Sequence, residues 1–212
     1  MARFITLEGP EGAGKSTQLP QLAKWLEVAG HAVVATKNPG GTPIGGQLRE
    51  VLLKPANQDL NPLAELLLYA ADRAQHVEEL VRPALAQGSI VLCDRYTDST
   101  LAYQGYGRGL DLALIAQLNT IATRGLRPDL TLLLDLPPAE GLARVRASRR
   151  VDRLEVEALA FHERLRAGYL ELAAAEPRRF VVVDAAQPAD RVQRTLREAL
   201  VDRLGVGERV AP

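Results

Sequence analysis

No stretch constrains this chain more than Gly9-Pro10-Glu11-Gly12-Ala13-Gly14-Lys15-Ser16-Thr17. It follows the apolar run Phe4-Ile5-Thr6-Leu7 and precedes Leu19, Leu22, Ala23 and Leu26, which recur at helical spacing. The pattern G-x-x-x-x-G-K-[ST] therefore has the setting it needs, a strand before it and a helix after it. Its glycines admit positive φ and close backbone approach, so successive N–H groups can turn inward around a phosphate. Lys15 supplies a mobile point charge for the outer phosphates, and Ser16 a hydroxyl ligand for Mg²⁺. The helix N-terminus adds about half a positive charge. A nucleoside triphosphate is expected on this loop.

The bulk of the chain narrows the class further. Its 212 residues suit one α/β domain with a substantial core. Formal net charge is zero, so nothing in the balance asks for a nucleic-acid or membrane partner. The single cysteine, Cys93, excludes an intrachain disulfide and fits a reducing compartment. His31, His76 and His162 lie far apart without ligand spacing, which argues against structural zinc. No apolar run approaches the roughly 20 residues of a membrane span. The first residues enter a strand without the apolar core of a leader peptide. A cytoplasmic protein is expected.

In chain order, a helix runs from the loop to about residue 29 and stops at Gly30, with Pro20 expected to kink it. A strand over 32–36 ends in the breaker-rich Lys37-Asn38-Pro39-Gly40-Gly41-Thr42. A short helix over 45–53 precedes one long helical region from Pro62 to about residue 87. The run 89–93 is apolar throughout, as in a strand buried on both faces of a parallel sheet, and delivers Asp94-Arg95-Tyr96. A Gly-rich loop over 104–109 leads to Asp111 as the cap of the next helix. Strands over 130–135 and 180–184 follow, with helices from about 139, over 156–174 and over 189–204. Five strands alternating with helices imply a five-stranded parallel sheet covered on both faces. Ligands gather at the C-terminal ends of such strands, where the phosphate loop, the Lys37 turn and Asp94-Arg95 all leave the sheet.

Asp94 can hold a metal-bound water or orient an acceptor, and Arg95 can grip a phosphate bidentately; a plain strand-end ion pair has the same spelling. Tyr69 and Arg73 share a helix face at four-residue spacing. A ring beside a guanidinium suits a flat heterocycle, and a helix-surface contact would look alike.

Taken together, these residues make the sequence resemble the thymidylate kinases, P-loop nucleoside monophosphate kinases that form dTDP from dTMP and ATP. The resemblance is carried by residues 9–17, Pro39-Gly40-Gly41-Thr42, Tyr69-Ala70-Ala71-Asp72-Arg73, Asp94-Arg95-Tyr96, Ser99, Ala102-Tyr103-Gln104-Gly105, Arg127-Pro128-Asp129 and Asp152-Arg153-Leu154-Glu155. It implies a Mg²⁺-dependent kinase working as a homodimer on ATP and dTMP. Glu11 is implied near the acceptor sugar 3′-hydroxyl and metal waters, with Ser16 and Asp94 toward the metal. Tyr69 is implied to stack on thymine, Arg73 to donate to its O4, and Arg49 and Arg95 to hold the dTMP phosphate. Ser99 and Gln104 match residues near the base, while Tyr103 matches a ring that crowds the sugar 2′ position. Arg144, Arg146, Arg149, Arg150 and Arg153 match a lid over about 144–155. Because the phosphate loop has no arginine, Arg149 or Arg150 is expected to supply the catalytic cation. By analogy, Ala185-Ala186-Gln187 lies near adenine.

One departure stands out. Bacterial members commonly read Arg-Glu-Pro-Gly-Gly after the second strand, where this chain has Lys37-Asn38-Pro39-Gly40-Gly41. A guanidinium and a carboxylate are lost together, so any acceptor-side role of these two positions is open. Other readings of the sequence are a kinase for another nucleotide or deoxynucleoside, a P-loop switch that transfers nothing, and a catalytically dead homologue.

Overall fold

Strand β1 (Arg3–Glu8) lies at the middle of the sheet and feeds two different cores. Ile5 and Leu7 join one apolar cluster, while Phe4 joins another on the opposite face. The computed structural model describes residues 2–148 and 153–207. Among these, β1 is joined by β2 (Val33–Lys37), β3 (Ile90–Asp94), β4 (Leu130–Asp135) and β5 (Phe180–Asp184) in the order β2-β3-β1-β4-β5, all parallel. The alternation of strands and helices in the sequence had implied this architecture.

The helices are α1 (Lys15–Val28), α2 (Pro43–Leu53), α3 (Pro62–His76), α4 (Arg82–Ala86), α5 (Thr97–Thr100), α6 (Leu112–Thr123), α7 (Pro138–Ser148), α8 (Leu159–Ala175) and α9 (Ala189–Leu204). Leu19, Leu22 and Leu26 of α1 and Val192, Leu196 and Leu200 of α9 pack on Ile5, Leu7, Leu92 and Leu132. On the other face, Phe161, Leu165 and Tyr169 of α8 meet Leu133 and Tyr103. Side-chain caps fix several starts: Thr42 Oγ1 accepts from the Gly45 N–H at 3.0 Å, Asn61 Oδ1 from Leu63 at 2.9 Å, and Asp111 Oδ1 from Ala113 at 2.7 Å. Each such cap contributes about 1 kcal/mol.

Two segments differ from the sequence expectation. The region from Pro62 is not one α-helix, because α3 passes through a π-helical turn, Val77–Val81, into α4. Pro83 has no N–H, and in a regular α-helix its ring would press on the carbonyl one turn back; a wider turn relieves both. The Gly-rich stretch is likewise no open loop but a π-helical turn, Leu101–Gly107, that continues α5. Its glycines serve packing. A Cβ at Gly105 would come within 2.4 Å of Leu112, and one at Gly107 within 2.5 Å of the Phe161 ring.

Candidate active site

The phosphate loop bends where the glycines require it. Gly9, Gly12 and Gly14 have φ of 135°, 71° and 94°. A Cβ on Gly9 would lie 2.3 Å from the Leu134 carbonyl oxygen, and one on Gly12 would lie 2.2 Å from that of Gly141. Only glycine fits either place. Lys15 folds back over the loop, its Nζ donating to the carbonyls of Gly9 at 2.8 Å and Pro10 at 2.9 Å. Burial, and then the neighbouring Arg95 cation, bring its ammonium down to about 8. Arg144 bridges the loop to the turn after β5, donating from Nη1 to Ala185 O at 3.1 Å and Gly12 O at 3.4 Å.

The turn after β3 is held against its own preference. Arg95 has φ of 72°, a conformation that costs a non-glycine residue on the order of 1–3 kcal/mol. Its N–H donates to Leu7 O at 2.9 Å, and the next N–H, of Tyr96, donates to Glu8 Oε1 at 2.7 Å. Ser99 Oγ and the Tyr169 hydroxyl donate to Glu8 Oε2 at 2.5 and 2.9 Å. Glu8 is thus a fully buried carboxylate that gathers three donors beneath the site. Burial, followed by the Asp98 charge, pushes its carboxyl upward. The Arg95 guanidinium reaches Gly9 O at 3.1 Å, Ser99 Oγ and the Tyr169 hydroxyl at 3.2 Å, and Glu11 Oε1 at 3.1 Å. It lies 4.8 Å from the centre of the Tyr103 ring, whose hydroxyl donates to Glu11. Burial alone would raise the Glu11 carboxyl, but Arg95, Lys15 and the Tyr103 hydroxyl hold it below its usual range. Asp94 Oδ1 is buried and has no hydrogen-bond partner among the described residues.

Opposite the loop stands a polar wall. Arg73 donates to Asn38 Oδ1, Thr100 Oγ1 and Asn119 Oδ1 and lies over the Tyr96 ring. Arg49 Nη1 donates to the Pro39 carbonyl at 2.9 Å. Gln104 Nε2 donates to Glu65 Oε1 at 2.8 Å, and the buried Glu65 also pairs with Arg108 and Arg153.

A cleft of about 1030 Å³ joins these parts. From the sequence set it is lined by Glu11 through Thr17, Arg49, Tyr69, Arg73, Asp94, Arg95, Ser99, Tyr103 and Gln104. Gly9 supplies its carbonyl to Lys15 and Arg95 without being part of the lining. Arg149 and Arg150 lie outside the described residues. Arg153 corrects the picture of a solvated arginine face: it is 3% exposed, with Nε on the Leu52 carbonyl at 2.9 Å. Sequence reasoning missed Glu8, Thr100, Asn119 and Tyr169. Only Glu8 left a trace, as a carboxylate that directly follows the mostly apolar run Phe4-Ile5-Thr6-Leu7.

Among the described residues, no three His, Cys, Asp or Glu side chains gather into a protein-only metal site. A hard cation that borrows phosphate oxygens needs no such cluster.

Comparison with known proteins points the same way. The family model described as thymidylate kinase matches residues 7–196. The thymidylate kinase of Deinococcus radiodurans is 56% identical over 200 residues, covering 94% of this chain and 97% of the relative. That of Syntrophotalea carbinolica is 57% identical over 198 residues, covering 91% and 92%. The crystal structure of thymidylate kinase from Ehrlichia chaffeensis superposes with a TM-score of 0.77 at 35% identity, covering 94% of this chain and 98% of that one.

Proposed function

Since the chain belongs to the thymidylate kinase family, and so transfers the γ-phosphoryl group of ATP to dTMP, giving dTDP and ADP, we propose that the two nucleotides meet head to head in this cleft. ATP takes the loop 9–17 and the Ala185-Ala186-Gln187 turn. The acceptor takes Arg49, Tyr69, Arg73, Arg95, Ser99, Tyr103 and Gln104. One observation supports this division above the others. Lys15 from the donor loop and Arg95 from the acceptor turn both reach the Gly9 carbonyl, at 2.8 and 3.1 Å. Two cations that converge from the two substrates' sides can share the charge of a phosphoryl group in transit.

The dTMP phosphate is already an anion, so the protein's task is positioning and charge neutralisation rather than proton removal. Arg95 and Arg49 hold it in line, Glu11 faces the acceptor sugar, and Tyr103 crowds the 2′ position against a ribonucleotide. Mg²⁺ fits the donor set, given the buried Asp94 Oδ1, without a hydrogen-bond partner among the described residues, and the exposed Ser16 at the start of α1. Ser16 and Asp94 would hold the ion, which when bound screens the phosphate charge. The chain is read as a single domain with a lid over about 144–155 and Arg149 or Arg150 as its catalytic cation; residues 149–152 lie outside the described residues.

The enzyme is read as a cytoplasmic homodimer. Among the described residues no helix is long and apolar enough to cross a membrane. The adjoining helices α2, α3 and α6 expose Ile44, Leu63, Leu67 and Ile121, an apolar face suited to a second copy. Light scattering should give twice the chain mass, and a monomer at about micromolar concentration counts against the dimer.

Arg95→Ala tests the division of the cleft. It should cut dTMP-dependent ADP formation by about 10³-fold while ATP affinity stays within about threefold. Equal loss of both would show that Arg95 belongs to the donor side.

A further inference from the structure

Glu65, Tyr69 and Arg73 stand four residues apart on one buried face of α3. Tyr69 and Arg73 line the cleft, while Glu65 is fully buried behind it. Its carboxylate is shared by three donors. Oε1 accepts from Gln104 Nε2 at 2.8 Å and Oε2 from Arg153 Nη2, and Arg108 reaches both oxygens at 3.4 Å. Arg108 also pairs with Glu157, so two carboxylates balance two guanidinium groups.

Arg153 carries this knot across to α2. Its Nε donates to Leu52 O at 2.9 Å and its N–H to Leu53 O at 3.4 Å. Both carbonyls lie in the last turn of α2, where a helix leaves them without N–H partners and favours a cation. The same helix carries Arg49. Leu154, next in the chain, lines the cleft and joins the cluster on which Leu53 packs. One buried ion pair thus joins four pieces: the helix of Arg49, the helix of Tyr69 and Arg73, the turn of Tyr103 and Gln104, and Leu154. A guanidinium committed to a buried carboxylate and a helix end is not free to follow phosphate charge.

We propose that Glu65 and Arg153 are positioning residues for the acceptor, holding these four pieces at the spacing dTMP needs without touching substrate themselves. This rests on the reading of Arg49, Tyr69 and Gln104 as acceptor contacts. It also separates Arg153 from the other arginines of its run: its loss should weaken dTMP and spare ATP.

The test measures kcat, KM for each substrate and a thermal melt in the full-length enzyme and its variants. Glu65→Gln leaves Arg153 buried without its counter-charge. It should raise KM for dTMP about ten- to a hundredfold, with KM for ATP within about twofold and kcat within about fivefold. Arg153→Met should act alike. Arg153→Lys keeps the charge but not the fork that spans Glu65 and Leu52, so KM for dTMP should rise only about threefold. Because the two residues act as a pair, Glu65→Gln with Arg153→Met should raise that KM no further than the worse single variant. Single effects that multiply in the double variant overturn the pairing. A lowered melting temperature with both KM values unchanged overturns the proposal, since a merely structural pair would behave so. A loss of kcat of about 10³-fold with KM for dTMP unchanged also overturns it and returns Arg153 to the phosphates. Should Glu65→Gln and Arg153→Met fail to fold, Arg153→Lys decides by the same two KM values. Gln104→Ala and Arg49→Ala separate the proposal from the reading beneath it. If both leave KM for dTMP unchanged, that reading falls and the proposal with it. If they raise it and Glu65→Gln does not, the proposal alone falls.

Discussion

The two sides of the cleft are made by opposite means. The donor side is nine consecutive residues whose glycines take φ values that other residues resist, and its contacts are largely backbone. On the proposed division, the acceptor side beyond Arg95 is a wall of side chains brought together from the β2–α2 turn, α3, α5 and α6: Asn38, Arg73, Thr100 and Asn119. Backbone donors carry little information about what they hold beyond its charge. A wall of side chains can be matched to one base edge. Damage to the donor loop or to Arg95 should therefore stop transfer, whereas damage to this wall should change KM and substrate choice and leave transfer running.

The largest effect belongs to Lys15→Ala, which should lower kcat by about 10³-fold. Thermal stability should not fall with it. Burial holds the Lys15 ammonium near 8 rather than 10.5, so folding disfavours its charged form and removal relieves that cost. Steady-state kinetics with a thermal melt checks both. A kcat within tenfold of wild type would remove the donor loop from the chemistry.

Glu8→Gln comes next, because Glu8 links the two sides. Its carboxylate accepts from Tyr96, Ser99 and Tyr169, and an amide cannot serve all three. Release of the Arg95 turn should cost about 2 kcal/mol, hence roughly 4–8 °C in Tm, and about 10- to 100-fold in kcat/KM for dTMP. If ATP affinity fell as steeply, Glu8 would support the loop rather than the Arg95 turn.

The same contrast decides what could be read from the order of residues. The phosphate loop, the five strands and Asp94-Arg95 at a strand end are local patterns, and each lies where its spacing implies. Arg73 was legible as a helix-face partner of Tyr69, yet its anchors were not. Thr100 and Asn119 are ordinary polar residues of α5 and α6 until the fold turns them toward one guanidinium. Gly105 and Gly107 were misread for a related reason. Composition marks a glycine as a bend, and only packing against Leu112 and Phe161 reveals it as a close approach. Arg153 carried the same ambiguity, a charge in a basic run that turns out to pair with the buried Glu65.

A smaller effect should appear in the pH dependence of binding. Triphosphate favours the charged ammonium of Lys15. Below pH 8 the proton is already present and ATP affinity should be flat. Above it, binding must take up a proton, and affinity should fall about tenfold between pH 7 and pH 9. Arg95 is held well above its ordinary value, burial notwithstanding, by Tyr103, Tyr169 and Glu11, so it stays charged throughout. The affinity for dTMP alone should thus lack this fall. Calorimetry in buffers of different ionisation heat would register proton uptake with ATP above pH 8. Equal uptake with dTMP would break the separation of the two sides.

The gentlest probe is Asn119→Ala. Asn119 contributes one of the four bonds on Arg73, and its Nδ2 also reaches the Thr97 carbonyl at 3.3 Å, tying α6 to α5. Asn38 and Thr100 remain to hold the guanidinium, so one net hydrogen bond of about 1 kcal/mol is lost. KM for dTMP should rise about threefold with kcat unchanged, because the substitution loosens the aim of the group proposed to read the base and leaves the Arg95 and Lys15 contacts in place. If kcat fell in proportion while KM held, Arg73 would be acting on the reacting end of dTMP. The wall would then be part of the transfer machinery, and the division between a backbone side that transfers and a side-chain side that chooses would have to be abandoned.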